Sequence, residues 1–304
     1  MIGIEMKKAD NDGQDSEHAH DAPAAPLAKE DLGLGTAYER VAIYKLFDRW
    51  SEGCRIESAA EGPLDGMAGI PGLHLLGFAH RGIHATVCLP DDEALARVRA
   101  IYRRLRVEDQ LSTYRISSDA IPTGPVDVLV SYNALPYVPD WRAYLKRVLA
   151  ADARWFFIVV SNPVSYGTYL RRVQRKVRGE EVVELFDHEC TRRSEIEPEI
   201  EKAGRILSHD YLDCPWWPDF LLPARKNLAG DTIAKVKGLF GRRESNEGAP
   251  ARFVFGEERY PFFEGEEGYE ELSRSMRAHP VFDRAPEPVA RFFGHLHGYW
   301  VEKR

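Results

Sequence analysis

"SSDAIPTGPVDVLVSYNALPYVPDW" spans residues 117–141 and turns from polar to apolar half-way. Pro122, Gly124 and Pro125 mark a turn, and "VDVLVSY" (126–132) follows it. Val128, Leu129 and Val130 are apolar in succession, so this run lacks the alternation of a strand with one wet face. It predicts a strand covered on both sides. Trp141, Leu145, Val148 and Leu149 then repeat at helical spacing, and "WFFIVV" (155–160) is a second fully apolar strand.

The same rhythm extends in both directions. Before it come "CRIESA" (54–59), "HATVCL" (84–89) and "LSTYRI" (111–116), each read as a strand. In "YERVAIYKLFDRW" (38–50), Ile43, Leu46, Phe47 and Trp50 define one helical face. In "DDEALARVRAIYRRL" (91–105), Asp91 is the expected N-cap and Leu95, Val98, Tyr102 and Leu105 the buried stripe. After it, "SEIEPEIEKAG" predicts a helix with a Ser194–Glu197 capping box and Gly204 as its stop. "RILSHDYLD" and "LHGYWVEK" (296–303) complete the strands. Strands alternating with helices, two of them apolar throughout, imply an α/β fold with a parallel sheet covered on both faces.

In this order the segments resemble a class I S-adenosylmethionine-dependent methyltransferase, over roughly residues 35–214 plus the terminal strand. The resemblance rests on 117–141, on "RWFFIVVSNP", and more weakly on the glycine-bearing "AEGPLDGMAGIPG" (60–72). "DGMAGIPG" with "WWPDF" downstream also looks like a poorly characterised bacterial and archaeal subgroup. The resemblance implies a Rossmann-like, seven-stranded methyltransferase sheet, mostly parallel with the last strand antiparallel, and S-adenosyl-L-methionine as cofactor. It implies that Glu61, Gly62, Asp65 and Gly66 meet the methionine end, where close backbone approach and a carboxylate suit an amino acid. Ser118, Asp119 and Ala120 would border the adenine, with Asp119 accepting from the exocyclic amine. Tyr38 would lie at the entrance, and Tyr132–Asn133 and Asn162–Pro163 near the transferred methyl. Tight turns for the two glycines, a capping Asp119 and a core Tyr38 remain the alternatives.

Two departures from the family pattern stand out. "EGPLDG" spreads its glycines and includes Pro63, and Leu89 stands where the family usually has an acid for the ribose hydroxyls. Each lost charge-assisted bond weakens binding by about 1.5–3 kcal/mol, roughly tenfold or more in affinity. Asp91 or Asp92 could reach back, or could serve only the helix start. The expected function is methyl transfer to oxygen or carbon of a small, apolar acceptor. Asn133 and His188 are the catalytic candidates, His188 as the base in "LFDHEC". A non-catalytic scaffold with the same fold is the first alternative. A nicotinamide-dependent oxidoreductase is the second, although residues 66–72 lack the G-x-G of that fingerprint.

Composition bounds the rest. The chain has 304 residues, is 44% hydrophobic and 29% charged, and carries a formal charge of −7, which disfavours a dedicated nucleic-acid binder. Residues 1–33 read as a disordered tail on a domain over 34–304. No apolar run is long enough to cross a bilayer and no signal core follows the first lysines, so the expected location is cytoplasmic. Cys54, Cys88, Cys190 and Cys214 form no CxxC pair, and His295 and His297 lack further ligands at metal spacing, so no metal is expected. Inserts at about 164–190 and 215–285 interrupt the rhythm. "YLRRVQRKVR" and "ARKNLAGDTIAKVKGLFGRR" are basic and amphipathic, suited to an anionic membrane or to covering a lipid-like substrate. Packing on their own domain, paired with the acidic run after 256, is the alternative. Nothing in the sequence signals an oligomeric state.

Overall fold

The apolar strands at 126–132 and 155–160 sit at the middle of a seven-stranded sheet. A computed structural model describes residues 34–65, 72–118, 120–178, 189–212, 263–266, 269–275 and 285–304. The expected tail and most of the second insert lie outside these residues. The strands are β1 (Ser58–Asp65), β2 (His84–Leu89), β3 (Leu111–Arg115), β4 (Val126–Tyr132), β5 (Ala153–Ser161), β6 (Gly204–Leu212) and β7 (Leu296–Lys303). Their order is β3-β2-β1-β4-β5-β7-β6. β1 to β5 pair in parallel, and β7 runs antiparallel to both β5 and β6. The described helices are α1 (Leu34–Trp50), α2 (Leu76–His80), α3 (Asp92–Arg104), α4 (Trp141–Ala150), α5 (Tyr166–Arg178), α6 (Arg193–Glu201), α7 (Tyr269–Ser275) and α8 (Glu287–Phe293). The expected fold class is the one observed.

Each face of the sheet carries its own core. On one side α1, α2 and α3 cover Val128, Val130, Trp155, Phe157 and Trp300. On the other, α4 and α6 cover Leu129, Phe156, Ile158, Tyr299 and Val301. Successive strand residues point to opposite faces, so a strand covered twice has to be apolar at every position. The first core centres on a stack of rings. Phe157 lies 4.1 Å from Phe47 of α1, 4.4 Å from Trp300 and 5.4 Å from Trp50, centroid to centroid. Trp50 also donates to Asp210 of β6 at 2.6 Å, which fixes α1 across the sheet.

Two local expectations are corrected. β1 begins at Ser58 rather than Cys54 and continues through Asp65, so the first half of the glycine-bearing stretch is strand and not loop. Glu61 pairs with Val87 and Val130, and the register with β4 slips between Glu61 and Asp65, which absorbs Gly62 and Pro63 in an irregularity. The Ser194–Glu197 box does not form either. α6 starts at Arg193 with Arg192 as an uncapped boundary, and Glu197 instead pairs with Arg193 at 2.7 Å. Asp91 does cap α3, accepting from Glu93 N at 2.9 Å.

Phe157 is fully buried among these rings. Phe157→Ala should lower the unfolding free energy by about 3–5 kcal/mol in urea titrations, because the rings around it cannot all collapse into the space left. A loss under about 1 kcal/mol would show that the stack does not hold α1 to the sheet.

Candidate functional site

From β1 the chain steps outward to β2 and β3, then returns to β4 and steps outward the other way. Connections at the carboxyl ends of β1 and β4 therefore diverge, and a crevice opens between them. Open α/β sheets bind ligands at such a reversal. A small hollow lies there, walled by Glu61 and Gly62 of β1, Leu89 of β2, Val130 and Tyr132 of β4, with Gly72 and His74 from the segment before α2. Leu89 and Val130 give it apolar lining, and Glu61, His74 and Tyr132 its polar side chains.

Those polar groups form a buried network. Glu61 is only 3% exposed and His74 1%. Glu61 Oε2 lies 2.9 Å from His74 Nδ1, a hydrogen bond that needs a proton on one of the two. The imidazole stacks on the Tyr132 ring at 3.9 Å, and the Tyr132 hydroxyl donates to the Glu39 carboxylate of α1. Tyr44 of α1 donates to the Leu73 carbonyl at 2.6 Å, so α1 holds the His74 segment in place. Among the described residues, Glu61 Oε1 has no hydrogen-bond partner. Burial pushes the Glu61 carboxyl up to about 8, against the pull of the buried Arg40 guanidinium and of the His74 and Leu75 N–H groups. The same burial, with Glu61 nearby, pushes the Cys88 thiol up to about 12.

The glycines have a local explanation. Gly62 has φ +115°, and a Cβ there would stand 1.8 Å from the Cys88 carbonyl oxygen. Gly72 has φ +80°, and its Cβ would come within 2.7 Å of Val87 Cγ1. Neighbouring β2 alone thus excludes side chains at both positions.

The other candidate residues fall as follows. Leu89 is buried at the end of β2 and faces the hollow, so the wall at the expected ribose acid is apolar. Asp91 is engaged as the α3 cap, and Asp92 pairs with Arg115 at 3.0 Å. Asn133 has φ 43°, a conformation asparagine tolerates, and its Oδ1 accepts from Ser161 N at 3.1 Å and Ser161 Oγ at 3.0 Å. It thereby joins the ends of β4 and β5. Asn162 donates to the carbonyls of Arg291 and Gly294, at 2.7 and 2.8 Å. Ser118 is exposed in the turn after β3, and Ala120 N bonds Ser117 O at 3.0 Å in that turn. Tyr38 lies in α1 and Asp65 closes β1, with side chains outside the described residues, and Gly66, Asp119 and His188 are outside them altogether. His297 is a satisfied core histidine. Its Nε2 lies 2.8 Å from Thr191 O and its Nδ1 3.2 Å from His209 Nε2, and burial lowers the two rings to about 4 and about 3. Among the described residues no cluster of His, Cys, Asp and Glu could hold a metal, and no helix is long and apolar enough to cross a membrane.

The strand order β3-β2-β1-β4-β5-β7-β6, with β7 antiparallel to its neighbours, is that of the class I methyltransferase fold. No family model and no curated protein matches it. Among solved structures, YjhP from E. coli is similar over 89% of this chain and 99% of its own, at 12% identity and a TM-score of 0.45. The cyclase SpnF is similar over 86% and 81%, at 11% and 0.45. The plantazolicin methyltransferase BamL, solved with SAH, is similar over 88% and 86%, at 9% and 0.43. Identities this low transfer no residue assignment to this chain.

His74, Glu39 and Arg40 were not signalled by the sequence pattern. His74 follows Glu61 by thirteen residues, and only the return of the chain at Gly72 brings the two together. The network predicts a pH dependence with a definite sign. An unfolded Glu61 ionises near 4.5 and the folded one near 8, so between these values the folded state holds the extra proton and stability falls as pH rises. Glu61→Gln imitates the protonated acid. Its stability should decline less steeply than the wild type's between pH 5 and 8 in urea titrations, and parallel curves would remove the assignment.

Proposed function

We propose that this protein binds S-adenosyl-L-methionine in the crevice between β1 and β4 and transfers its methyl group to a small, apolar acceptor at oxygen or carbon. The observation that carries the reading is the Glu61 carboxylate. It is buried at the reversal point of the sheet with one oxygen unpartnered, and once it has released to solvent the proton that burial holds on it, it suits an incoming ammonium group. Bound there, S-adenosylmethionine supplies an electrophilic methyl on a sulfonium. Glu61 accepts from the ammonium, and His74 keeps the carboxylate oriented through its Nδ1 contact. Leu89, Val130 and the Tyr132 ring line the hollow and exclude water beside the bound group. The described part of the hollow is far smaller than a drug-sized pocket, so it receives one end of the cofactor at most.

Other assignments in this reading rest on the sequence. Asp119 accepts from the adenine amine, with Ser118 and Ala120 beside it, and Tyr38, Asp65 and Gly66 border the cofactor. His188 takes the acceptor's proton where there is one. Asn133 holds the β4 and β5 ends in register beneath the reacting groups. Leu89 leaves the ribose hydroxyls without a charged partner, so affinity sits below that of a site with an acid there.

A second reading, a binding protein that retains the fold without catalysis, is favoured by Leu89 and by the packing that already accounts for Gly62 and Gly72. Calorimetric titration with S-adenosylmethionine, its demethylated product and NADH separates the readings. Micromolar binding of the first two, silence from NADH, and at least a tenfold loss in Asp119→Ala are expected. Binding of none turns the assignment to the second reading, and binding of NADH alone overturns both.

A further inference from the structure

α5 is amphipathic and its apolar side faces outward. At 3.6 residues per turn, Tyr166, Tyr169, Leu170 and Val173 share an arc about 100° wide. The sequence of the same helix also holds Arg171, Arg172, Arg175, Lys176 and Arg178. Such a stripe ordinarily packs on the core. Here Tyr169 is 66% exposed, Leu170 47% and Val173 42%.

α8 extends the surface. The Tyr166 ring meets Phe292 at 5.8 Å and Phe293 at 5.2 Å, which sets α8 beside α5. Phe292 is 51% exposed and Val289 40%, and Val164, just before α5, is 47% exposed. Five large apolar side chains from these two helices, with Val164 just before α5, make a patch of the kind that marks an interaction surface. The helix beneath it carries five cations and no acid, in a chain whose net charge is −7.

We propose that the α5–α8 face docks on an anionic lipid bilayer. The apolar arc enters the boundary between headgroups and acyl chains, Tyr169 sits at headgroup level, and the flanking Arg and Lys side chains extend to lipid phosphates. Charge selects this occupant. A two-fold dimer through the same face would set the row of cations against its own copy. The inference stands independently of methyl transfer.

Co-sedimentation of the full chain with phosphatidylcholine vesicles, with and without phosphatidylglycerol, tests it. Partitioning should be roughly tenfold or more stronger with phosphatidylglycerol and should fall as salt is raised. The double variant Leu170→Asp, Val173→Asp should lose it by a similar factor with its melting temperature unchanged. Equal binding to both vesicles, or a variant that binds as the wild type does, overturns the proposal. So does a variant whose melting temperature falls by several degrees, because another part of the chain then covers this face. A concentration-dependent dimer that the variant abolishes also overturns it.

Discussion

Burial of the Glu61 carboxyl is the constraint on which the rest of the site depends. A carboxyl taken out of water is costly to ionise unless it is paired, and this one sits within the central strand β1. The fold answers with a proton-sharing contact to His74, a buried guanidinium from Arg40 and two backbone N–H groups. Together they tie two segments, α1 and the stretch at His74 and Leu75, to the same point. The His74 segment is held by Tyr44, and α1 is held by the Tyr132–Glu39 bond as well as by the ring stack on Phe157. Keeping one carboxylate oxygen free amid this much structure is hard to account for by stability alone, since an apolar residue at 61 would avoid the penalty.

Much of the frame was legible because its signals are local. β2, β4 and β7 have the bounds their apolar runs imply, and Asp91 caps α3 because a short acidic side chain before an amphipathic run reaches the second N–H of the helix. β1 was misplaced because Gly62 and Pro63 look like loop residues. Only pairing with β2 and β4 on either side keeps them in the sheet, and that pairing is non-local. The Ser194–Glu197 box failed for a related reason: Glu197 finds Arg193 one turn away, and Arg193 also reaches Glu287 of α8. The site was half legible. Glu61 and Tyr132 were placed by resemblance, and Leu89 as the departure from it. His74 was invisible, because what sets it in the wall of the crevice is a partner thirteen residues away and a ring from another strand.

The two surfaces proposed for binding share one edge of the sheet. The crevice lies at the carboxyl ends of β1 and β4, α5 leaves the carboxyl end of β5, and α8 leads into the start of β7, which pairs with that same end. Asn162 binds these last two together through the Arg291 and Gly294 carbonyls. A bilayer seated on α5 and α8 would therefore lie along the edge where the crevice opens. That arrangement suits an apolar acceptor drawn from a membrane.

Histidine imidazole NMR with added S-adenosylhomocysteine probes directly whether the crevice between β1 and β4 is where the cofactor sits. The His74 ring signals should shift saturably, while those of His209 and His297, enclosed on the other face of the sheet, stay in place. Saturable binding that leaves His74 unmoved, or that moves His209 and His297 instead, would contradict that placement.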